Sequence, residues 1–380
     1  MGELLLSGGS VFDPVSESFS SADLRISGGW IVAPSAAVDT DEVIDVSGLV
    51  VSPGLVDLHT HVFHGQDLGL VPDEIAGRSG TTTLIDAGSA GGHLFEAFRR
   101  ASVERSSVRI RAFVNIASIG TTSILLGGEL KALYYSNEEV AAACVEGNRD
   151  IVVGVKVRAS ADVGGDNSLE ALRRARRVAD QVELPLMVHL GPAPAAIDDI
   201  VGLLRGGDIL THSFSGWEGN TLLANGSLRA SVRAARERGV LLDIGHGMSG
   251  FSASVARTMI GLGEFPDTIS SDLHSYSLPL VVDLPTVLSK FMALGMTLEQ
   301  VLVRATLAPA RAVGLAGVGA LSEGAAADVG VFRRVQGRVE FDDGFVEHFS
   351  GSERLVPVLT IMDGRVVFDD LRTAGKAGSR

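Results

Sequence analysis

The strongest constraint on this chain is an alternation. Eight apolar, β-branched runs recur between residues 53 and 318: Leu55–His61, Thr82–Ser89, Ile110–Ser118, Ile151–Ala159, Leu184–Gly191, Asp208–Phe214, Leu241–Gly247 and Thr268–His274. Amphipathic stretches separate them, including Leu94–Val103, Asn137–Glu146, Ser168–Gln181, Ala196–Leu204 and Ser227–Arg238. Strands alternating with helices predict a parallel sheet with right-handed crossovers. Eight units in this span match the roughly 250 residues of a (β/α)8 TIM barrel. A doubly wound open sheet is the competing arrangement. It calls for a Gly-rich phosphate fingerprint after the first strand, and none follows Leu55–His61.

The flanks follow a different rhythm. Residues 1 to 52 read as short strands at Leu4–Ser7, Asp23–Ile26, Trp30–Val32 and Glu42–Asp45, divided by Gly-Gly, Asp-Pro and Ser-rich turns. Leu298–Gly314 reads as a helix, and short strands then return at Asp328–Phe332, Arg338–Phe341, Leu359–Met362 and Arg365–Phe368. Asp363-Gly364 between the last two is a hairpin signal. The expectation is an α/β chain in which residues 53–318 form the barrel. Residues 1–52 and 319–370 together build a small β-sandwich, and 371–380 form a flexible tail.

Polar residues stand at the ends of the apolar runs, where barrel active sites are built. The first run ends in His59 and His61, whose side chains share a strand face. Lys156 lies in the fourth run, and His189, His212 and Asp272 close the fifth, sixth and eighth. One histidine in such a place is usually structural. Four of them on three strands, with a carboxylate on a fourth, form a donor set suited to Zn2+ and similar ions. An ammonium in that setting is desolvated and repelled, which lowers its pKa. Lys156 then has two readings: an ordinary lysine paired with Asp272, or a neutral amine that takes up CO2 as a carbamate able to bridge two cations.

Pro53-Gly54-Leu55-Val56-Asp57-Leu58-His59-Thr60-His61 followed by Gly80-Thr81-Thr82-Thr83 resembles the opening of the amidohydrolase superfamily. Ile85–Gly91, Val114–Ala117, Gly154–Arg158, Thr211–Phe214, Asp243–Gly247 and Ser270–His274 resemble its amidohydrolase/deacetylase group, relatives of the dihydroorotases. The likeness spans essentially the whole chain. It implies two divalent metal ions, Zn2+ with Mn2+ as the alternative. His59, His61 and Asp272 would hold the more buried ion and His189 and His212 the second, with N6-carboxylated Lys156 bridging both. It also implies that a metal-bridging hydroxide attacks an amide or ester bond while Asp272 moves the proton. D-aminoacylase relatives use a cysteine ligand, and Cys144 stands in no matching place. A hydrolytic deaminase does not need the bridging lysine.

The expected reaction is removal of an N-acyl or O-acyl group from a small carboxylate-bearing molecule. A cyclic-amide hydrolase of dihydroorotase or hydantoinase type is the alternative, and a catalytically silent barrel-fold binding protein is a further one. Arg158, two residues beyond Lys156 on the same face, is placed to clamp a carboxylate. His246, between Gly245 and Gly247, and His274, two beyond Asp272, are the other substrate-binding candidates. Asp86 and Asn115 are expected to hydrogen-bond the ligand histidines, and Trp217 to wall the pocket. A net charge of -14 argues against nucleic acid or an anionic membrane surface as partner. The single cysteine excludes an internal disulfide, and no signal peptide or 18-residue apolar span is visible. A cytoplasmic enzyme acting on a small molecule is expected, and a homo-oligomer is compatible with the sequence.

Overall fold

The computed structural model describes residues 3–33, 42–192, 195–345 and 347–371. Seven parallel strands follow one another in chain order around a curling sheet. They are β1 (Leu55–Thr60), β2 (Thr81–Asp86), β3 (Arg109–Asn115), β4 (Val152–Ala159), β5 (Leu186–Leu190), β6 (Ile209–Thr211) and β7 (Leu241–Leu242). The eighth apolar run completes the ring without forming a regular ladder. It bridges Asp243 through Thr268 on one side and Thr60 through Leu273 on the other. His61 N–H donates to Leu273 O at 2.9 Å, and Asp272 N–H donates to His59 O at 2.7 Å. Regular pairing fails here because Asp272 adopts φ 48°, outside the extended region. The fold is an α/β TIM barrel with a β-sandwich attached.

One residue from each of six strands meets in a single apolar cluster with Val313: Leu58, Ile85, Phe113, Val153, Met187 and Ile209. Side chains from six successive strands share one cluster only inside a closing sheet. Met187 reaches the top of this plug, with Sδ 3.4 Å from Lys156 Nζ. The barrel interior is therefore apolar beneath the strand ends that carry the histidines.

Several helices are shorter than their periodicity suggests. Leu94–Val103 divides into an α turn, Phe95–Phe98, and a π turn, Arg99–Val103. Leu298–Gly314 forms two helices, Leu298–Val303 and Leu307–Ala312. The break falls before Pro309, whose ring would strike the carbonyl four residues earlier in a continuous helix.

Both flanks enter the sandwich. A four-stranded sheet runs Trp30–Val32, Leu24–Ser27, Leu4–Ser7, Glu42–Asp45. A six-stranded sheet joins the two ends of the chain, since Val50–Pro53 pairs antiparallel with Val329–Phe332. Leu6, Ile26, Val51, Val329, Val331 and Ile361 share one core between the sheets. Asp363 and Gly364 turn with φ 46° and 74° and close the hairpin between Met362 and Arg365. The strands expected at Asp328–Phe332 and Arg338–Phe341 are one strand, Val329–Asp342, paired along its length with His348–Met362. This arm returns to the barrel mouth, where its tip at 342–345 lies over the active face. The tail expected at 371–380 lies outside the described residues from 372 onward.

Candidate metal centre

The six residues singled out as metal ligands converge. His59 and His61 end β1, Lys156 lies on β4, His189 on β5, His212 follows β6, and Asp272 lies on the eighth run. Together with Leu68, Thr121, Ile124, Arg158 and His274 they line one cavity of about 40 Å³. Asp272 Oδ1 lies 3.3 Å from both His59 Nε2 and His61 Nε2. Lys156 Nζ lies 3.3 Å from His59 Nε2. The His189 and His212 rings meet edge to face at 4.3 Å between centroids. Donor atoms of His59, His212 and Asp272 all fall within 4.8 Å of one another.

Two observations test whether these residues suit a metal. First, Asp272 Oδ1 and His212 Nε2 are buried without a hydrogen-bond partner, an arrangement native proteins avoid unless a ligand completes it. Second, the histidines are held neutral. Burial lowers His59 and His189 well below the usual histidine range, with His61 pushed down to about 3 and His212 to about 4. Neutral imidazole is the form that binds a cation. The residues present fit a divalent metal.

Backbone geometry sets the aim of these side chains. His212 and Asp272 take φ 61° and 48°, values rare for residues with a Cβ and concentrated at functional sites. His212 Nδ1–H donates to Gly245 O at 2.7 Å, leaving Nε2 free. His61 Nδ1 meets Ser89 Oγ at 2.8 Å, and His59 Nδ1 meets Thr211 Oγ1 at 2.9 Å. Asp86 and Asn115 therefore act one step further out than expected. Asp86 accepts from Gly88 N–H and Ser89 N–H at 3.1 and 2.7 Å and from Val62 N–H at 2.9 Å. Asn115 donates to Gly88 O at 3.0 Å. Both shape the loop that delivers Ser89 to His61: Asp86 at the end of β2 and Asn115 at the end of β3 turn onto that loop and not onto the histidine rings.

Lys156 is 1% exposed. Burial pushes its pKa down to about 7, against the opposing pull of Asp272. It makes no ion pair with Asp272 within 4 Å among the described residues; its close polar neighbours are His59 Nε2 and Met187 Sδ.

A larger cavity of about 510 Å³ opens outward, lined by Arg158, Asp162, His189, His212, Asp272 and His274 on the polar side, with Asp162 Oδ2 3.8 Å from Arg158 Nη2. Ile124, Leu190, Pro192, Trp217 and Met248 form its apolar side. Arg158 does not face it with its whole fork. Nη1 donates to Glu129 Oε1 at 2.9 Å, and Glu129 is almost fully buried. His274 Nδ1 accepts from the backbone N–H groups of Tyr276 and Ser277, both at 3.3 Å. Its neutral ring then carries the proton on Nε2 as a donor.

His246 stands elsewhere. It is fully buried, its Nδ1–H donates to Gly247 O at 2.9 Å, and its Nε2 accepts from Lys290 Nζ at 2.9 Å. The ring lies 4.7 Å from that of Phe251. Both nitrogens are occupied, so it supports the wall formed by Met248–Gly250 from behind and does not line the cavity.

Sequence reasoning missed four contributors. Glu129 gives no local signal, being one acid in a Gly-Gly-Glu loop. Thr211 and Ser89 are hydroxyls beside stronger candidates. The sandwich arm supplies Gly344 to the cavity and Phe345 to the Trp217 ring, 5.3 Å between centroids. A residue some 70 positions beyond the last barrel strand could have been suspected only from the Asp343-Gly344 turn signal.

Residues 50–367 match the amidohydrolase family. The chain belongs to that family. This amidohydrolase is 37% identical over 333 residues to a deacetylase of Agrobacterium fabrum, covering 86% of this chain and 82% of that protein. It is 32% identical over 341 residues to a deacetylase of Enterococcus faecalis, covering 88% and 91%. Among solved structures, it is similar to a dihydroorotase with TM-score 0.88 and 32% identity, covering 97% and 98% of the two chains. It is also similar to an adenine deaminase with TM-score 0.89 and 29% identity, covering 96% and 99%.

Proposed function

We propose that this amidohydrolase is a metal-dependent deacylase that removes an acetyl or similar acyl group from the nitrogen or oxygen of a small carboxylate-bearing molecule. The observation that carries the reading is the convergence of four neutral histidines, a depressed lysine and a buried carboxylate with an unpartnered oxygen. The deacetylase relatives, which match over most of their length, support it. His59, His61 and Asp272 would hold one divalent ion and His189 and His212 a second. Zn2+ is the first choice and Mn2+ the alternative. Lys156, carboxylated on Nζ, would join the two sites: its amine adds CO2 and releases one proton, a reaction open to the neutral form that a pKa near 7 supplies. Bound there, the metals supply Lewis acidity toward the acyl carbonyl and a nucleophile at neutral pH.

The chain's own groups do the rest. Asp272, whose Oδ1 faces His59 Nε2 and His61 Nε2, accepts a proton on its carboxylate and passes it to the leaving nitrogen or oxygen. His274 offers its Nε2–H to the substrate. Glu129 fixes Arg158 Nη1 at 2.9 Å, and a substrate carboxylate would take Nη2 in place of exposed Asp162, whose Oδ2 stands 3.8 Å away. The apolar wall of Ile124, Leu190, Trp217 and Met248 receives the remainder of the molecule and excludes water.

A cyclic-amide hydrolase is the second reading, favoured by the dihydroorotase structure at 32% identity over nearly the whole chain. The chain division carried with this proposal is a barrel at 53–318 and a composite sandwich from 1–52 and 319–370, in a cytoplasmic enzyme. No described helix is long and apolar enough to cross a membrane. The test is a screen of N-acetyl amino acids, O-acetyl hydroxy acids and cyclic amides with zinc- and manganese-loaded protein. Turnover of the acetyl compounds alone upholds the deacylase; turnover of cyclic amides alone replaces it with the second reading.

A further inference from the structure

Asp243 follows β7 and is completely buried. A carboxylate there is costly to bury unless it is hydrogen-bonded, and it is surrounded by hydroxyls. Thr211 Oγ1 donates to Oδ2 at 2.7 Å, Thr268 Oγ1 to Oδ1 at 2.7 Å, and Ser270 Oγ reaches both oxygens at 2.8 Å. Thr211 comes from β6 and the other two from the eighth run, the neighbours of β7 on either side. The nearest basic group is His59, with Nδ1 3.9 Å from Oδ2.

We propose that Asp243 is a positioning residue for the metal centre: acting through Thr211, it fixes His59 in the tautomer whose Nε2 lone pair faces the metal. The inference rests on the metal-centre reading above. Its logic is the direction of protons. Burial raises the Asp243 pKa, and the hydroxyls of Thr268, Thr211 and Ser270 oppose that rise; in its carboxylate form it only accepts, so the Thr211 hydroxyl proton is then committed to Asp243. The same hydroxyl oxygen lies 2.9 Å from His59 Nδ1 and can only accept there. His59 therefore carries its proton on Nδ1. In the neutral ring Nε2 is then the lone-pair atom, and it points to Lys156 Nζ and Asp272 Oδ1. A hydroxyl has no such preference by itself. Without the carboxylate it can rotate and donate to Nδ1, which moves the ring proton to Nε2 and removes the ligand.

The same carboxylate reaches a second ligand. Ser270 Oγ, committed to Asp243, accepts Gly245 N–H at 3.0 Å. The Gly245 carbonyl is the acceptor for His212 Nδ1–H. One buried charge thus orders the acceptors behind two imidazoles, one in each proposed metal position.

The experiment compares wild type with Asp243→Asn, Thr211→Val, Thr211→Ser and Thr268→Val. Two readouts are taken. The first is the ring tautomer of His59 in metal-free, 15N-histidine-labelled protein, assigned with a His59→Gln variant. The second is Zn2+ affinity by chelator competition in bicarbonate. An Asn side chain turns an amide N–H donor toward Thr211 and frees its hydroxyl to donate. Asp243→Asn is therefore expected to shift His59 toward the Nε2–H form and weaken Zn2+ binding about 10- to 100-fold, as for other groups that orient a metal ligand. Thr211→Val should weaken binding likewise, Thr211→Ser should restore the wild-type tautomer and affinity, and Thr268→Val should leave the tautomer unchanged. If Asp243→Asn fails to fold, the Thr211 pair decides. Wild-type tautomer and affinity in folded Asp243→Asn or Thr211→Val overturn the proposal. A wild type that binds no metal overturns the metal-centre reading, while the tautomer measurement still reports whether Asp243 directs His59.

Discussion

Lys290 offers a quantitative test of how the pocket wall is held. Its ammonium is 1% exposed and touches His246 Nε2, Leu280 O at 3.2 Å and Asp342 O at 2.9 Å. Those three acceptors belong to the loop after β7, the turn Leu278–Val281 and the tip of the sandwich arm, which together carry Met248–Gly250 and Gly344 of the cavity. Burial lowers the Lys290 pKa from 10.5 to about 8. A drop of that size corresponds to about 3 kcal/mol of differential protonation energy at about 1.4 kcal/mol per pKa unit. The sign follows from proton counting. Between pH 8 and 10.5 the unfolded chain binds the lysine proton and the folded chain does not, so this residue makes stability rise with pH across that window. Below pH 8 both states are protonated and the penalty is constant. Lys290→Met abolishes the dependence, whatever its absolute stability with three acceptors left bare. Urea unfolding at pH 7, 8, 9 and 10 should show wild type gaining on Lys290→Met by about 2 to 2.5 kcal/mol over that range. Parallel pH curves for the two proteins would refute the reasoning.

Other substitutions probe the chemistry itself. Asp272→Asn should remain folded and lose about 10²- to 10⁴-fold in kcat, the range of a missing general acid–base; a near-normal rate with any acyl substrate removes it from proton transfer. Arg158→Ala leaves Glu129 buried and unpaired, and should destabilise the protein by roughly 3 kcal/mol in urea unfolding. Adding Glu129→Ala should recover most of that loss without restoring KM for a carboxylate substrate, and recovery of KM as well would take Arg158 out of substrate binding.

The barrel was legible because its evidence is periodic. Apolar runs at Leu55–His61 through Leu241–Gly247 follow from burial on both faces of a parallel sheet, and polar residues at their ends have few structural reasons to be there. The convergence of His59, His61, Lys156, His189, His212 and Asp272 was legible for the same reason. What surrounds it was not. Ser89, Thr211 and Asp243 matter through the direction of single hydroxyl protons, and such information appears only when three segments are brought within 3 Å. His246 illustrates the reverse case. Its Gly-His-Gly setting suggests close approach to a ligand, yet the ring is drawn backward by Lys290, a residue 44 positions away. Gly344 reaches the cavity and Phe345 the Trp217 ring because a hairpin arm folds over the barrel mouth, a long-range event with no local pattern. The eighth run was recognised by composition, but its departure from a regular strand at Asp272 follows from the site's geometry and not from strand propensity.

The central claim is a pair of divalent ions joined through a carboxylated Lys156. Metal content measured on protein loaded with Zn2+ in bicarbonate, for wild type and Lys156→Ala side by side, tests it most directly. The account predicts close to two ions per wild-type chain, fewer when bicarbonate is withheld, and loss of the paired site in the variant. Two ions per chain and full turnover in Lys156→Ala would contradict it.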